Sequence, residues 1–150
     1  MKIKSILACV VAAPLLLSST LAIADTVSGT DGEALYLYEA AQSDLNLVSS
    51  YKQLIAPVLD KADWLRGYGT ASPAQVENLD GTEYWVFAGC KPHDCPSQSY
   101  VVMYDPTQKK MVAGALVTNT YEEQDIQSSQ IEWLGETNLD YTRVLGKYLY

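Results

Sequence analysis

Cys90-Lys91-Pro92-His93-Asp94-Cys95 gathers two thiols, an ammonium, a carboxylate and the chain's single imidazole within six residues. Four kinds of chemistry are open to such a group. A zinc ion could draw on Cys90, His93 and Cys95. Three ligands packed into six residues strain a tetrahedral site, however, and the sequence offers no second ligand cluster. Thiol–disulfide catalysis favours two residues between its cysteines rather than four. Hydrolysis with His93 as general base needs an orienting group, a nucleophile and a cleft. The remaining chemistry is a simple disulfide that closes the hexapeptide into a ring and turns Lys91 to Asp94 outward.

The targeting signal bears on that choice. Lys2 and Lys4 precede an apolar run from Ile6 to Leu17, and Ala22-Ile23-Ala24 then supplies the small residues of a cleavage site. This pattern predicts a secretory signal peptide at residues 1–24 and a mature domain at 25–150. The apolar run is too short and too closely followed by the cleavage site for a permanent membrane anchor. Leu7-Ala8-Cys9 resembles a lipoprotein signal only faintly, because most of the hydrophobic sequence follows Cys9 instead of preceding it. Cleavage removes Cys9 and leaves Cys90 and Cys95 in an exported chain, where disulfides persist. The expected compartment is one outside the cytoplasm where disulfides persist.

Charge narrows the partners. Losing Lys2 and Lys4 from the 10 basic residues leaves eight against 18 acidic ones, a formal charge of −10. That balance disfavours nucleic acid and an anionic membrane surface, and it suits a basic protein. It equally serves the solubility of an exported protein with no partner at all.

The elements that position the hexapeptide follow from periodicity. Thr30-Asp31-Gly32-Glu33 has the spacing of a capping box, at which a helix could begin. Leu47, Val48, Tyr51, Leu54, Ile55 and Val58 recur at three- and four-residue intervals, and Ser49, Ser50, Lys52 and Gln53 take the opposite face. Pro57 disfavours helical geometry at Ala56 and ends or kinks this helix. A short helix over Asp60–Arg66 would set Trp64 and Leu65 against the core and stop at Gly67-Tyr68-Gly69. Strands are expected at Gln75–Leu79, Tyr84–Ala88, Tyr100–Tyr104, Met111–Thr118 and Ile131–Leu134. Asp80-Gly81 makes a hairpin turn and Asp105-Pro106 a second turn. Strands around Trp85, Val102 and Ala115 are apolar at odd and even positions alike, so both sheet faces should be covered. Asn119–Ser129 is polar and acidic, and is expected as a solvated loop. A final helix from Thr137 would use Leu139, Thr142, Leu145 and Leu149. The class is α+β: one domain with a mainly antiparallel sheet of four or five strands, helices on one face, and the hexapeptide at a hairpin tip.

At such a tip the ring contributes little to stability and more to order. Its six-residue loop gives about 2 kcal/mol in the chain-entropy treatment. Fixing a free backbone residue costs roughly 1–2 kcal/mol, so a loop ordered in advance binds more tightly for the same contacts. The plainer reading is a surface hairpin with an incidental histidine.

The hexapeptide resembles the motif of the Ivy family, bacterial periplasmic inhibitors of vertebrate C-type lysozyme. Ser72-Pro73-Ala74-Gln75, Glu83-Tyr84, Ser97-Gln98, Val102-Met103 and Trp133-Leu134 are similar as well, so the resemblance runs from about Ser49 to Leu134. It implies a non-enzymatic inhibitor, without metal or cofactor, whose disulfide loop plugs the lysozyme cleft. His93 would meet the two catalytic carboxyl groups, Lys91 and Asp94 would make neighbouring polar contacts, and Pro92 would stiffen the loop. The same loop chemistry would also suit the bacterium's own cell-wall lytic enzymes. Homodimerisation stays open. A periplasmic enzyme or chaperone with a purely structural loop is the reading from a different class.

Overall fold

The computed structural model describes residues 26–27, 35–123 and 125–149. The expected signal peptide at residues 1–24 and the Thr30–Glu33 capping box lie outside the described residues. Helices α1 (Leu37–Ser43) and α2 (Leu45–Ile55) come first. Asp44 joins them and caps α2: its Oδ1 accepts from the amides of Asn46 and Leu47 at 2.8 and 3.3 Å. These are among the donors that a helix start leaves without partners. Leu47, Tyr51, Leu54 and Ile55 form the buried face of α2.

Helix α2 ends just before Pro57, but not through the geometry of Ala56. Ala56 keeps right-handed helical angles (φ −50°, ψ −40°). The missing amide hydrogen of proline is what stops the α-helical ladder, and the chain tightens into a 3-10 turn over Ala56–Val58. A second 3-10 turn at Asp63–Gly67 stands where a short helix was expected. It buries Leu65, packs Trp64 against the core, and ends with Tyr68 in the left-handed region at φ 65°.

Six strands follow: β1 (Thr70–Ala71), β2 (Gln75–Leu79), β3 (Thr82–Cys90), β4 (Gln98–Asp105), β5 (Lys110–Glu122) and β6 (Asp125–Gly135). Their order is β1-β3-β4-β5-β6, all pairs antiparallel, with β2 sharing the β1 edge of β3. Asp80 and Gly81 turn β2 into β3 with φ values of 49° and 83°, the double positive φ that a tight hairpin requires.

Both faces of the sheet are covered. Phe87, Tyr100, Val102, Tyr104 and Leu116 pack with α1, α2 and the 3-10 turns. Val86, Val101, Met103, Ala113, Ala115 and Val117 pack on the opposite face, where helix α3 (Leu139–Gly146) supplies Val144 and Leu145. Alternate side chains of one strand therefore enter two different cores, which is why β4 is apolar at consecutive positions.

The sheet has six strands where four or five were expected, because the two-residue β1 is too short to leave a pattern. Helix α3 packs on the face opposite α1 and α2, where helices were expected on one face. Two further expectations are corrected. Residues 120–123 and 125–129 are exposed, but the segment expected as a loop is paired, because β5 and β6 stay in register through Thr120↔Ser128, Tyr121↔Ile126 and Glu122↔Asp125. This two-stranded ribbon buries no face, so no apolar alternation marks it in the sequence. Helix α3 begins after the cap Asn138, whose Oδ1 accepts from the Tyr141 amide at 2.8 Å. Its rotation leaves Leu139 63% exposed and buries Val144 beside Leu145.

Candidate functional site

Strands β3 and β4 run together to Cys90↔Ser99, and the hexapeptide closes their end. Lys91 N–H donates to Gln98 O at 3.0 Å, which continues the ladder one step further. Cys90 and Cys95 are joined by a disulfide with their Cα atoms 4.8 Å apart, a normal separation. The two thiolates that zinc binding would need are thus tied to each other.

Inside the ring the backbone turns sharply. Asp94 N–H donates to Lys91 O at 3.0 Å, so Lys91-Pro92-His93-Asp94 is a hydrogen-bonded β-turn. Pro92 holds its own φ near −65°, while His93 has φ +63°. A negative φ followed by a positive one is the type II pattern, which normally places glycine or asparagine where His93 stands. For a side chain with a Cβ, the left-handed conformation costs roughly 1–2 kcal/mol. The turn thereby sets an exposed Pro92 and the imidazole of His93 at the apex.

A polar network holds the turn from within. Lys91 Nζ donates to Asp94 Oδ2 at 2.8 Å, and Ser97 Oγ donates to the same oxygen. Ser97 N–H also donates to Asp94 O at 3.2 Å. The Lys91 hydrogen bond first, and that of Ser97 second, hold the Asp94 carboxyl below its ordinary range. The family resemblance implied that Lys91 and Asp94 contact the partner. The structure pairs them with each other and adds Ser97, whose place three residues after Asp94 is the signal that could have found it.

The base of the loop is gripped from two directions. From the 3-10 turn at Asp63–Gly67, Trp64 Nε1 donates to Gln98 Oε1 at 2.8 Å, and Gln98 Nε2 reaches Thr118 Oγ1 at 3.4 Å. From the end of β5, Asn119 Nδ2 and Tyr121 OH both donate to Pro96 O, at 2.7 and 2.8 Å. The sequence does not mark Trp64, Thr118, Asn119 or Tyr121 as site residues, because each of these bonds joins positions 20 or more residues apart.

A groove of about 300 Å³ opens among Tyr51, Ile55, Leu59 and Tyr68, with Lys52 and Arg66 at its margin. Its lining holds no imidazole or carboxylate to serve as a general base.

The sequence profile of the family described as inhibitor of vertebrate lysozyme (Ivy) matches residues 47–136, more than half of the 150-residue chain. The match includes the whole sheet from β1 to β6, the disulfide loop and nearly all of α2. Among curated proteins, the "Inhibitor of vertebrate lysozyme" of Escherichia coli (strain K12) is 35% identical over 71 residues, covering 47% of this chain and 43% of that protein. The protein of the same name from Escherichia coli O157:H7 shows the same identity and coverage. The alignment thus spans less than half the length of these relatives. Extent and content agree with the hexapeptide and the strands around it: the chain belongs to the Ivy family.

Proposed function

We propose that this chain is a proteinaceous inhibitor of C-type lysozyme, acting in the periplasm after export, and that it inserts the Cys90–Cys95 loop into the enzyme's active-site cleft. The observation that carries this reading is the placement of His93: at the apex of a stapled turn, in a left-handed conformation that glycine would adopt without strain. Backbone strain retained in a surface turn is a pointer to function rather than to stability.

Retaining glycosidases, lysozyme among them, work with two carboxyl groups about 5 Å apart flanking the scissile bond. An imidazole set between them can exchange a hydrogen bond with each through its two ring nitrogens. Pro92, the disulfide and the Lys91–Asp94–Ser97 network remove the freedom that such insertion would otherwise have to freeze. The exported chain, at −10 once Lys2 and Lys4 leave with the signal, would be steered toward a basic enzyme. The names of the curated relatives point the same way.

The test is clearing of a bacterial cell-wall suspension by C-type lysozyme, with and without purified protein. Wild type is expected to stop clearing. His93→Ala should weaken inhibition by about 2–4 kcal/mol, the usual cost of truncating a buried interface anchor. Equal potency of the two proteins would remove His93 from the mechanism, and an inactive wild type would remove the reading itself.

A further inference from the structure

The disulfide closes the loop on itself, but a ring attached by two strand ends can still tilt against the sheet. What stands beside it is the β5–β6 ribbon. Strand β4 starts at Gln98 opposite Thr118, and β5 continues past that point to Glu122. At about 3.3 Å per residue this carries the ribbon roughly 13 Å further, at the same end of the sheet as the loop.

The two projections are bonded at their root. Asn119 N–H donates to Ser97 O at 2.8 Å, while Asn119 Nδ2 and Tyr121 OH converge on Pro96 O. Both lone-pair directions of that carbonyl are thereby used. Asn119 is itself held, because Ser129 Oγ donates to its Oδ1 at 2.7 Å and so fixes which way the amide faces. Thr120, between the two, instead meets Ser128 Oγ at 2.6 Å.

We infer that Asn119 and Tyr121 are positioning residues for the loop: the disulfide sets its shape, and the ribbon sets its aim through the Pro96 carbonyl. The inference rests on the inhibitory reading above and concerns the same site. The ribbon's outer residues, 120–123 and 125–130, are exposed, so packing does not account for it.

The experiment compares wild type, Asn119→Ala/Tyr121→Phe and Thr120→Ala in lysozyme inhibition, in thermal unfolding, and in NMR relaxation of the backbone amides at 93–95. The double variant loses both hydrogen bonds to Pro96 O, so roughly a tenfold or greater loss of potency is expected. Its amides at 93–95 should become more mobile while its unfolding temperature stays close to wild type. Thr120→Ala should match wild type in potency. In a His93→Ala background the double substitution should have little further effect, because it acts through what the loop presents. A double variant as potent as wild type overturns the inference, with or without a more mobile loop. So does a loss of potency that merely follows unfolding, or an equal loss in Thr120→Ala. Failure of wild type to inhibit would instead strike the functional reading.

Discussion

Lys91 Nζ and Asp94 Oδ2 stand 2.8 Å apart across the turn that raises His93. Both side chains are well exposed, at 39% and 44%, so the pair adds little to global stability. Its effect is local order. Asp94→Asn keeps the shape and removes the charge, and is expected to weaken inhibition several-fold at an unchanged unfolding temperature.

The pH dependence of that network has a definite sign. Lys91 and Ser97 lower the Asp94 pKa, so the network is complete above the ordinary aspartate value near 3.9. It is lost as pH falls through the depressed value. A carboxyl NMR titration of the free protein should place the Asp94 midpoint below 3.9. A midpoint at or above that value would contradict the network.

Cys90→Ser/Cys95→Ser should separate stability from function. Opening a six-residue ring is expected to cost about 2 kcal/mol, measured by denaturant unfolding. Lysozyme inhibition should fall by more than this, with the variant still folded. A loss of inhibition that only tracks unfolding would argue against a preordered loop.

Gly69 guards the approach of the 3-10 turn to the loop base. Its φ is +65°, and an added Cβ would lie 2.5 Å from Cys90 O and 2.7 Å from the Trp64 ring. Gly69→Ala is therefore expected to destabilise by about 2–4 kcal/mol, from left-handed strain and overpacking together. Gly67, where an added Cβ meets nothing within 4 Å, is the matched control in the same denaturant titration.

Asp44 links a helix cap to the sheet, since Tyr104 OH donates to its Oδ2 at 2.6 Å from a nearly fully buried residue. The Tyr104 hydrogen bond is the main cause of a lowered Asp44 pKa. This contribution is present above the unfolded aspartate value and disappears as pH falls through the folded one. Tyr104→Phe should cost about 1–3 kcal/mol at neutral pH. It should also flatten the fall of stability below about pH 4, as measured by urea unfolding at several pH values.

Local order along the chain was enough to read much of this protein. The apolar face of α2, the β2–β3 turn at Asp80-Gly81, the paired strands beside the hexapeptide and the closure of Cys90 on Cys95 all depend on residues close in sequence. So does the placing of His93 at a tip, because Pro92 and two cysteines constrain only their neighbours. The doubly apolar strands also announced a sheet covered on both sides, as the two cores bear out.

Tertiary structure alone decided the rest. The rotation that hides Val144 and exposes Leu139 follows from where α3 docks, which its own weak periodicity does not specify. The ribbon at 119–122 and 125–129 buries no face, so it carries no hydrophobic pattern to read. Its hold on Pro96 is made by an exposed amide and a phenol that meet a carbonyl more than 20 residues away. Hydrophobic burial leaves a periodic trace in sequence, whereas a hydrogen bond between exposed groups depends only on where the register of the sheet brings them together.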